Sequence, residues 1–119
     1  MRNKTTASLK FEQHLVPIIL ASKKSCTWRL WNDKELKVGD KIVLISKPND
    51  KPFAKAEIVS IKETKMGRLN RDDKFGHEPF DSEKEMYSTY QRYYKKHVEP
   101  NTPVTVIHFK LLGRTILTY

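Results

Sequence analysis

The segment Ser22-Lys23-Lys24-Ser25-Cys26-Thr27-Trp28-Arg29 concentrates the residue types from which a reactive or anion-holding site is built. Read as a strand over 26–30, Cys26, Trp28 and Leu30 share one face, and Thr27 and Arg29 share the other. The apolar trio is the face expected to meet a core. A hydroxyl and a guanidinium then stand side by side on the opposite face, just after two lysines that close a short helix. Such a cluster can hold an anion or a planar polar group such as a nucleobase, and it is equally compatible with ordinary surface.

Positioning that cluster requires a scaffold, and the rest of the chain supplies its elements. Residues 8–13 can form a first strand. Pro17 is tolerated only in the first turn of a helix, which predicts a helix over 15–22. A Gly39-Asp40 turn feeds the wholly apolar Ile42-Val43-Leu44-Ile45, expected as a buried strand. The Pro48-Asn49-Asp50-Lys51-Pro52 cluster then turns the chain back into a strand over 53–61, completing an antiparallel hairpin. Residues 62–81 are polar and expected as a long connection, interrupted by a helical turn that Asn70 opens. Ser82 and Glu85 form a capping box, so a helix is expected from there to about His97. Lys95 and Lys96 suit its C-terminal dipole, and Met86, Tyr90, Tyr93, Tyr94 and His97 form its inner stripe. Tyr87, Tyr90, Tyr93 and Tyr94 are expected in the core, with an exposed member free to line a cleft. A last strand over 104–112 presents Ile107, Phe109 and Leu111. The order β-α-β-β-β-α-β predicts one α+β domain over residues 1–119. It is expected as a small curled β-barrel of about five to six strands, with two main helices and a short helical turn.

Composition narrows the partners. At 119 residues there is room for one core. Lys and Arg number 23 against 14 Asp and Glu, a net charge of +9, which favours phosphate-rich partners and nucleic acid first among them. No long helix gathers lysines opposite bulky apolar residues, and the apolar run 15–21 is too short to span a bilayer, so no membrane partner is expected. Cys26 is the single cysteine, and Met1-Arg2-Asn3-Lys4-Thr5-Thr6 leads into no apolar stretch; both favour a cytoplasmic location. His14, His77, His97 and His108 are scattered, and Cys26 has no C-x-x-C partner, so no metal site is expected. Four glycines form no phosphate-cradling loop, so no ATP or NAD cofactor is expected either. A monomer is expected.

Four motifs in order resemble one known family. They are Lys24-Ser25-x-Thr27-x-Arg29 after a short helix, Leu36-Lys37-Val38-Gly39-Asp40-Lys41-Ile42, Glu78-Pro79-Phe80 before a capped helix, and Thr102-Pro103-Val104-Thr105-Val106-Ile107-x-Phe109. Together, over residues 9–112, they resemble the ASCH domain, the activating-signal-cointegrator homology family of the PUA-like superfamily. The resemblance implies a small β-barrel whose cleft, beside the first helix, binds RNA or a modified nucleoside. Some small stand-alone members are amidohydrolases that deacetylate N4-acetylcytidine, and by motif position their catalytic lysine, threonine and glutamate fall on Lys24, Thr27 and Glu78. Glu83 and Glu85 are nearby competitors for the last of these. Ser22 and Pro79 depart from the pattern, standing where members often carry glycine.

Hydrolysis of an exocyclic N-acyl group needs a nucleophile, a base and a donor to the leaving nitrogen. Thr27 offers the hydroxyl, Lys24 a base if burial leaves it neutral, Glu78 the proton donor or the group that orients an attacking water, and Arg29 a cation for the oxyanion. Each also has an ordinary use: a cation at a helix end, a β-former, an ion pair. The binding reading adds Lys23, Arg29 and Trp31 to the cleft, with Trp31 stacking on a base or packing under the following loop. Arg68 and Arg71 join it from a basic ladder, Lys62, Lys65, Arg68, Arg71 and Lys74, which tracks a phosphate backbone or is a solvated face diluted by Glu63, Asp72 and Asp73. RNA or nucleoside binding is thus the first expectation, the amidohydrolase the second, and a protein-interaction module the third.

Overall fold

Short β-branched and aliphatic runs bounded by Gly, Pro and Asp make strands, and five of them assemble into one sheet. The computed structural model describes residues 7–32 and 34–114; the segment Met1-Arg2-Asn3-Lys4-Thr5-Thr6, considered above for targeting, lies outside the described residues. The strands are β1 (Ala7–Glu12), β2 (Cys26–Leu30), β3 (Lys41–Lys47), β4 (Lys51–Lys65) and β5 (Pro103–Arg114). Their order across the sheet is β1-β3-β4-β5-β2. β1 runs parallel to β3, and the other neighbours are antiparallel. The sheet curls until its two edges approach: the Arg29 guanidinium on β2 reaches the Lys10 carbonyl on β1 at 2.9 Å. The outcome is a half-barrel with α1 (Val16–Leu20), α2 (Arg71–Lys74) and α3 (Glu83–Tyr94) placed around it.

The two faces of the sheet bury different clusters. Leu9, Phe11, Ile42, Leu44, Ala54, Ala56, Ile58, Ile107 and Phe109 pack with Ile19 of α1. Cys26, Trp28, Leu30, Val104 and Val106 pack with Met86 and Tyr90 of α3. Strand alternation accounts for the division on β5, where Val104 and Val106 serve one cluster while Ile107 and Phe109 serve the other. Each such fully buried aliphatic side chain contributes about 1.5–3 kcal/mol. The β3–β4 hairpin and the α+β curled sheet match expectation. Among the described residues no helix is long and apolar enough to cross a membrane.

Several boundaries move. The helix expected over 15–22 splits into a 3-10 turn, Gln13–Leu15, and the short α1. β4 continues past residue 61 to Lys65, because β5 offers it a ladder (Lys62 opposite Val106, Thr64 opposite Val104) that polar composition does not reveal. α3 stops at Tyr94, where Lys95 turns left-handed at φ 56°, so His97 is exposed rather than part of the inner stripe.

α1 ends in a Schellman motif. Ser22 N–H donates to the Ile19 carbonyl and Lys23 N–H to the Ile18 carbonyl, both at 2.9 Å, with Ser22 left-handed at φ 61°. A side chain there costs about 1–2 kcal/mol that glycine avoids, partly offset by glycine's greater freedom when unfolded. Ser22→Gly is therefore expected to raise unfolding stability by about 0.5–1 kcal/mol in a urea titration, with no change in fold.

Candidate functional site

The Schellman turn ends the first helix and starts the chain toward β2. Lys24 follows it and turns inward: its side chain is only 2% exposed. Its Nζ donates to the Cys26 carbonyl at 2.6 Å and to Glu78 Oε1 at 2.5 Å. Glu78 arrives from the segment after α2, which is tied down step by step. Asn70 and Asp73 cap α2 reciprocally, and the Asp73 carbonyl accepts from Trp28 Nε1 at 2.9 Å. The Gly76 carbonyl then accepts from Ser25 N–H at 2.8 Å and Cys26 N–H at 3.1 Å. Gly76 has φ 80°, and a Cβ there would run into the Ser25 hydroxyl. Only glycine meets both demands.

His77 stacks on Trp28 with ring centroids 3.7 Å apart. Its Nδ1 lies 2.9 Å from the Glu78 carbonyl, and a carbonyl only accepts, so Nδ1 carries the proton. Nε2 therefore accepts the Tyr90 O–H, at 2.9 Å. This neutral tautomer agrees with a pKa pushed down to about 4, first by burial and then by the Lys24 charge.

Burial also lowers the Lys24 pKa, more than the Glu78 charge restores it. Burial alone would raise the Glu78 carboxyl, but Lys24 and His77 outweigh it and hold the group below its ordinary value. The pair thus rests charged, with a lysine that gives up its proton more readily than one on the surface. Cys26, on the core face, has its thiol pushed up to about 12 by burial, which removes it as a nucleophile.

Thr27 and Arg29 occupy the other face of β2, as alternation requires, and there Thr27 is buried and Arg29 half-buried. Arg29 Nε donates to Thr27 Oγ1 at 3.1 Å, and the guanidinium lies 4.7 Å from the Phe11 ring centroid. Because the Thr27 oxygen accepts from Arg29, its own proton is free for another acceptor, and a developing alkoxide there would be stabilised. Lys24, Thr27, Arg29 and Glu78 all line one cavity of about 310 Å³, together with Phe11, Tyr90, Tyr93 and Tyr94. That volume suits a single small molecule.

The remaining expected binding residues stand elsewhere. Lys23 is exposed and closes the Schellman turn. β2 ends at Leu30, and Trp31 turns left-handed at φ 49°, away from the Thr27 face. It packs edge-on against Tyr94 under the Lys96 ammonium, 4.7 Å from the ring centroid. Arg68 lies on a 3-10 turn and Arg71 at the start of α2, both exposed and outside the cavity lining. The basic ladder is broken among a strand, a turn and a helix, and its Lys62 pairs with Asp73 at 3.0 Å. Of the glutamates near Glu78, Glu85 accepts from the Asp81 N–H instead of meeting Lys24. His77 was missed as a site residue, because no spacing marks a lone histidine; of the tyrosine stripe, read as core with one exposed member free to line a cleft, Tyr90, Tyr93 and Tyr94 line the cavity. Among the described residues no group of three or more His, Cys, Asp or Glu is placed to hold a metal ion.

No family model and no curated protein sequence matches the chain. Solved structures do. An ASCH domain from Lactobacillus crispatus JV V101 superposes with a TM-score of 0.68 at 15% identity, covering 92% of this chain and 80% of that one. The fold is that of the ASCH domain. ASCH from Zymomonas mobilis matches this ASCH fold with a TM-score of 0.63 at 14% identity, over 88% of this chain and 66% of its own. A protein from Enterococcus faecalis V583 described as DUF984 matches at 0.76 and 11%, over 98% and 87%.

Two outcomes test how this ASCH-fold site is held together. Gly76→Ala is expected to cost about 1–3 kcal/mol in denaturant unfolding, because it imposes backbone strain and pushes the 76–78 segment off Ser25. His77 makes stability fall with acidification. Between pH 6.5 and about 4 the unfolded chain takes up a proton that the folded ring refuses, a loss of about 3 kcal/mol across the window. In urea titrations at pH 7 and pH 4.5, His77→Gln is expected to flatten that dependence, whatever its stability at pH 7.

Proposed function

We propose that the cavity binds a modified nucleoside and hydrolyses an exocyclic N-acyl group from it, with N4-acetylcytidine as the model substrate. One observation carries this reading: a lysine withdrawn from water touches a carboxylate in the same small cavity as a threonine hydroxyl. A purely structural ion pair has no use for that hydroxyl, and a phosphate-binding lysine is better left hydrated and charged. The ASCH fold and the motif resemblance support the same residues. The aromatic lining of Phe11, Tyr90, Tyr93 and Tyr94 supports a planar base as the bound group.

In this mechanism the substrate excludes water from the cavity, and the Lys24 proton passes along the 2.5 Å contact to Glu78. Neutral Lys24 takes the Thr27 proton as Oγ1 attacks the acyl carbon, and the oxyanion forms beside Arg29. The C–N bond breaks as Glu78 protonates the leaving nitrogen. A water molecule then cleaves the threonine ester, giving its proton to Glu78, while Lys24 returns a proton to Thr27. Acid and amine are released, and Glu78 hands its proton back to Lys24, which restores the pair.

A second reading, RNA binding without turnover, is favoured by the +9 net charge. The two are separated by incubating the protein with N4-acetylcytidine and following the acetyl group by chromatography. Lys24→Ala and Thr27→Ala are each expected to reduce turnover at least about 100-fold while leaving RNA affinity unchanged. The rate kcat/KM is expected to fall at high pH as Lys24 loses to solvent the proton that Glu78 must deliver, with a midpoint below the 10.5 of a free lysine. Absence of turnover by the unaltered protein at high concentration would overturn hydrolysis and leave binding.

A further inference from the structure

The charges bordering the cavity do not cancel. Five cationic side chains, Lys10, Lys24, Arg29, Lys34 and Lys47, face two carboxylates, Glu12 and Glu78. Glu78 answers Lys24, and Glu12 answers Lys47 at 3.3 Å. Lys10 takes Asp50, outside the lining, also at 3.3 Å. Arg29 and Lys34 have no carboxylate partner among the described residues, one half-buried in the cavity lining and the other exposed. A half-buried guanidinium without a counter-charge is costly unless something anionic comes to it. Arg29 meets the transient oxyanion in the reaction above, which leaves Lys34 unanswered.

We propose that the ligand carries a phosphate on its ribose, held at the cavity mouth by Lys34 with Lys10 and Lys47 beside it, so that a nucleotide rather than a free nucleoside is the preferred occupant. This deepens the nucleoside reading and rests on it. A ribose phosphate bears between one and two negative charges at neutral pH, matching what the mouth lacks. The Lys10 and Lys47 pairs are solvent-exposed and weak, so both ammonium groups can turn from their carboxylates to a phosphate at little cost. The phosphate arrives either on a mononucleotide or as a phosphodiester of an RNA strand, and the chemistry at Lys34 is the same.

The test is calorimetric binding of cytidine, cytidine 5′-monophosphate, cytidine 3′-monophosphate and a trinucleotide with cytidine at its centre, in 0.1 M salt. Lys34→Ala is compared with Lys41→Ala, an exposed lysine outside the cavity lining. At least one phosphorylated ligand is expected to bind about tenfold more tightly than cytidine. Lys34→Ala should remove most of that advantage without changing cytidine affinity, and Lys41→Ala should change neither. An advantage confined to the trinucleotide assigns the phosphate to RNA; one shared by a mononucleotide assigns it to free nucleotides. Equal affinity for all four ligands, no binding of any, or an advantage that survives Lys34→Ala overturns the proposal. Binding does not depend on turnover. A phosphate preference without hydrolysis refutes the hydrolase alone, and hydrolysis of the nucleoside without a phosphate preference refutes the phosphate site alone.

Discussion

Lys24 gives up its hydration to sit in the half-barrel, and the 2.5 Å contact with Glu78 is what offsets that loss. Much of the local structure follows from keeping the two together. The helix before Lys24 must end abruptly, which the Schellman turn accomplishes with a serine in a conformation better suited to glycine. The segment carrying Glu78 is irregular, so it is fastened to β2 through two backbone carbonyls, those of Asp73 and Gly76, while the Asp73 carboxylate caps α2 and pairs with Lys62 of β4. His77 completes the fastening by holding the Glu78 carbonyl on one side and Tyr90 of α3 on the other.

Arg29 solves a different problem on the same strand. β1 and β2 are the edges of the sheet, and each exposes an unpaired row of backbone groups. A backbone ladder between them would close the barrel and fill the space that the cavity occupies. A single guanidinium spans the gap instead, bonded to the Lys10 carbonyl and lying against Phe11. Edge protection and the opening of a cavity are thereby met by one side chain, which also bonds the Thr27 hydroxyl.

The parts of this arrangement that obey a local period were legible in the sequence. Alternation along 26–30 separated Cys26, Trp28 and Leu30 from Thr27 and Arg29, and Asn70 and the Ser82 cap announced α2 and α3. The curled sheet with its β3–β4 hairpin was legible too. The resemblance to the ASCH domain put Glu78 with Lys24, which no periodicity could have done, since the residues join through an irregular loop. What escaped depends on tertiary partners. β4 extends because β5 pairs with it, Trp31 leaves the Thr27 face because the backbone turns left-handed, and the basic ladder disperses because its rungs fall on three kinds of element. His77 gave no signal because its role is set entirely by Trp28 and Tyr90.

β2 has one ladder neighbour, β5, with Thr27 opposite Ile107 and Arg29 opposite Thr105. The strand that holds the hydroxyl and the guanidinium is thus anchored to residues far along the chain, and its loop-closure entropy is repaid only when that distant partner is in place. On a ribosome, β1, α1 and the β3–β4 hairpin emerge well ahead of β5, and the site cannot take shape until β5 has followed. A nascent or truncated chain can therefore own every side chain of the site described here and still lack the cavity they line, so that the site is acquired last, in a single step with completion of the sheet.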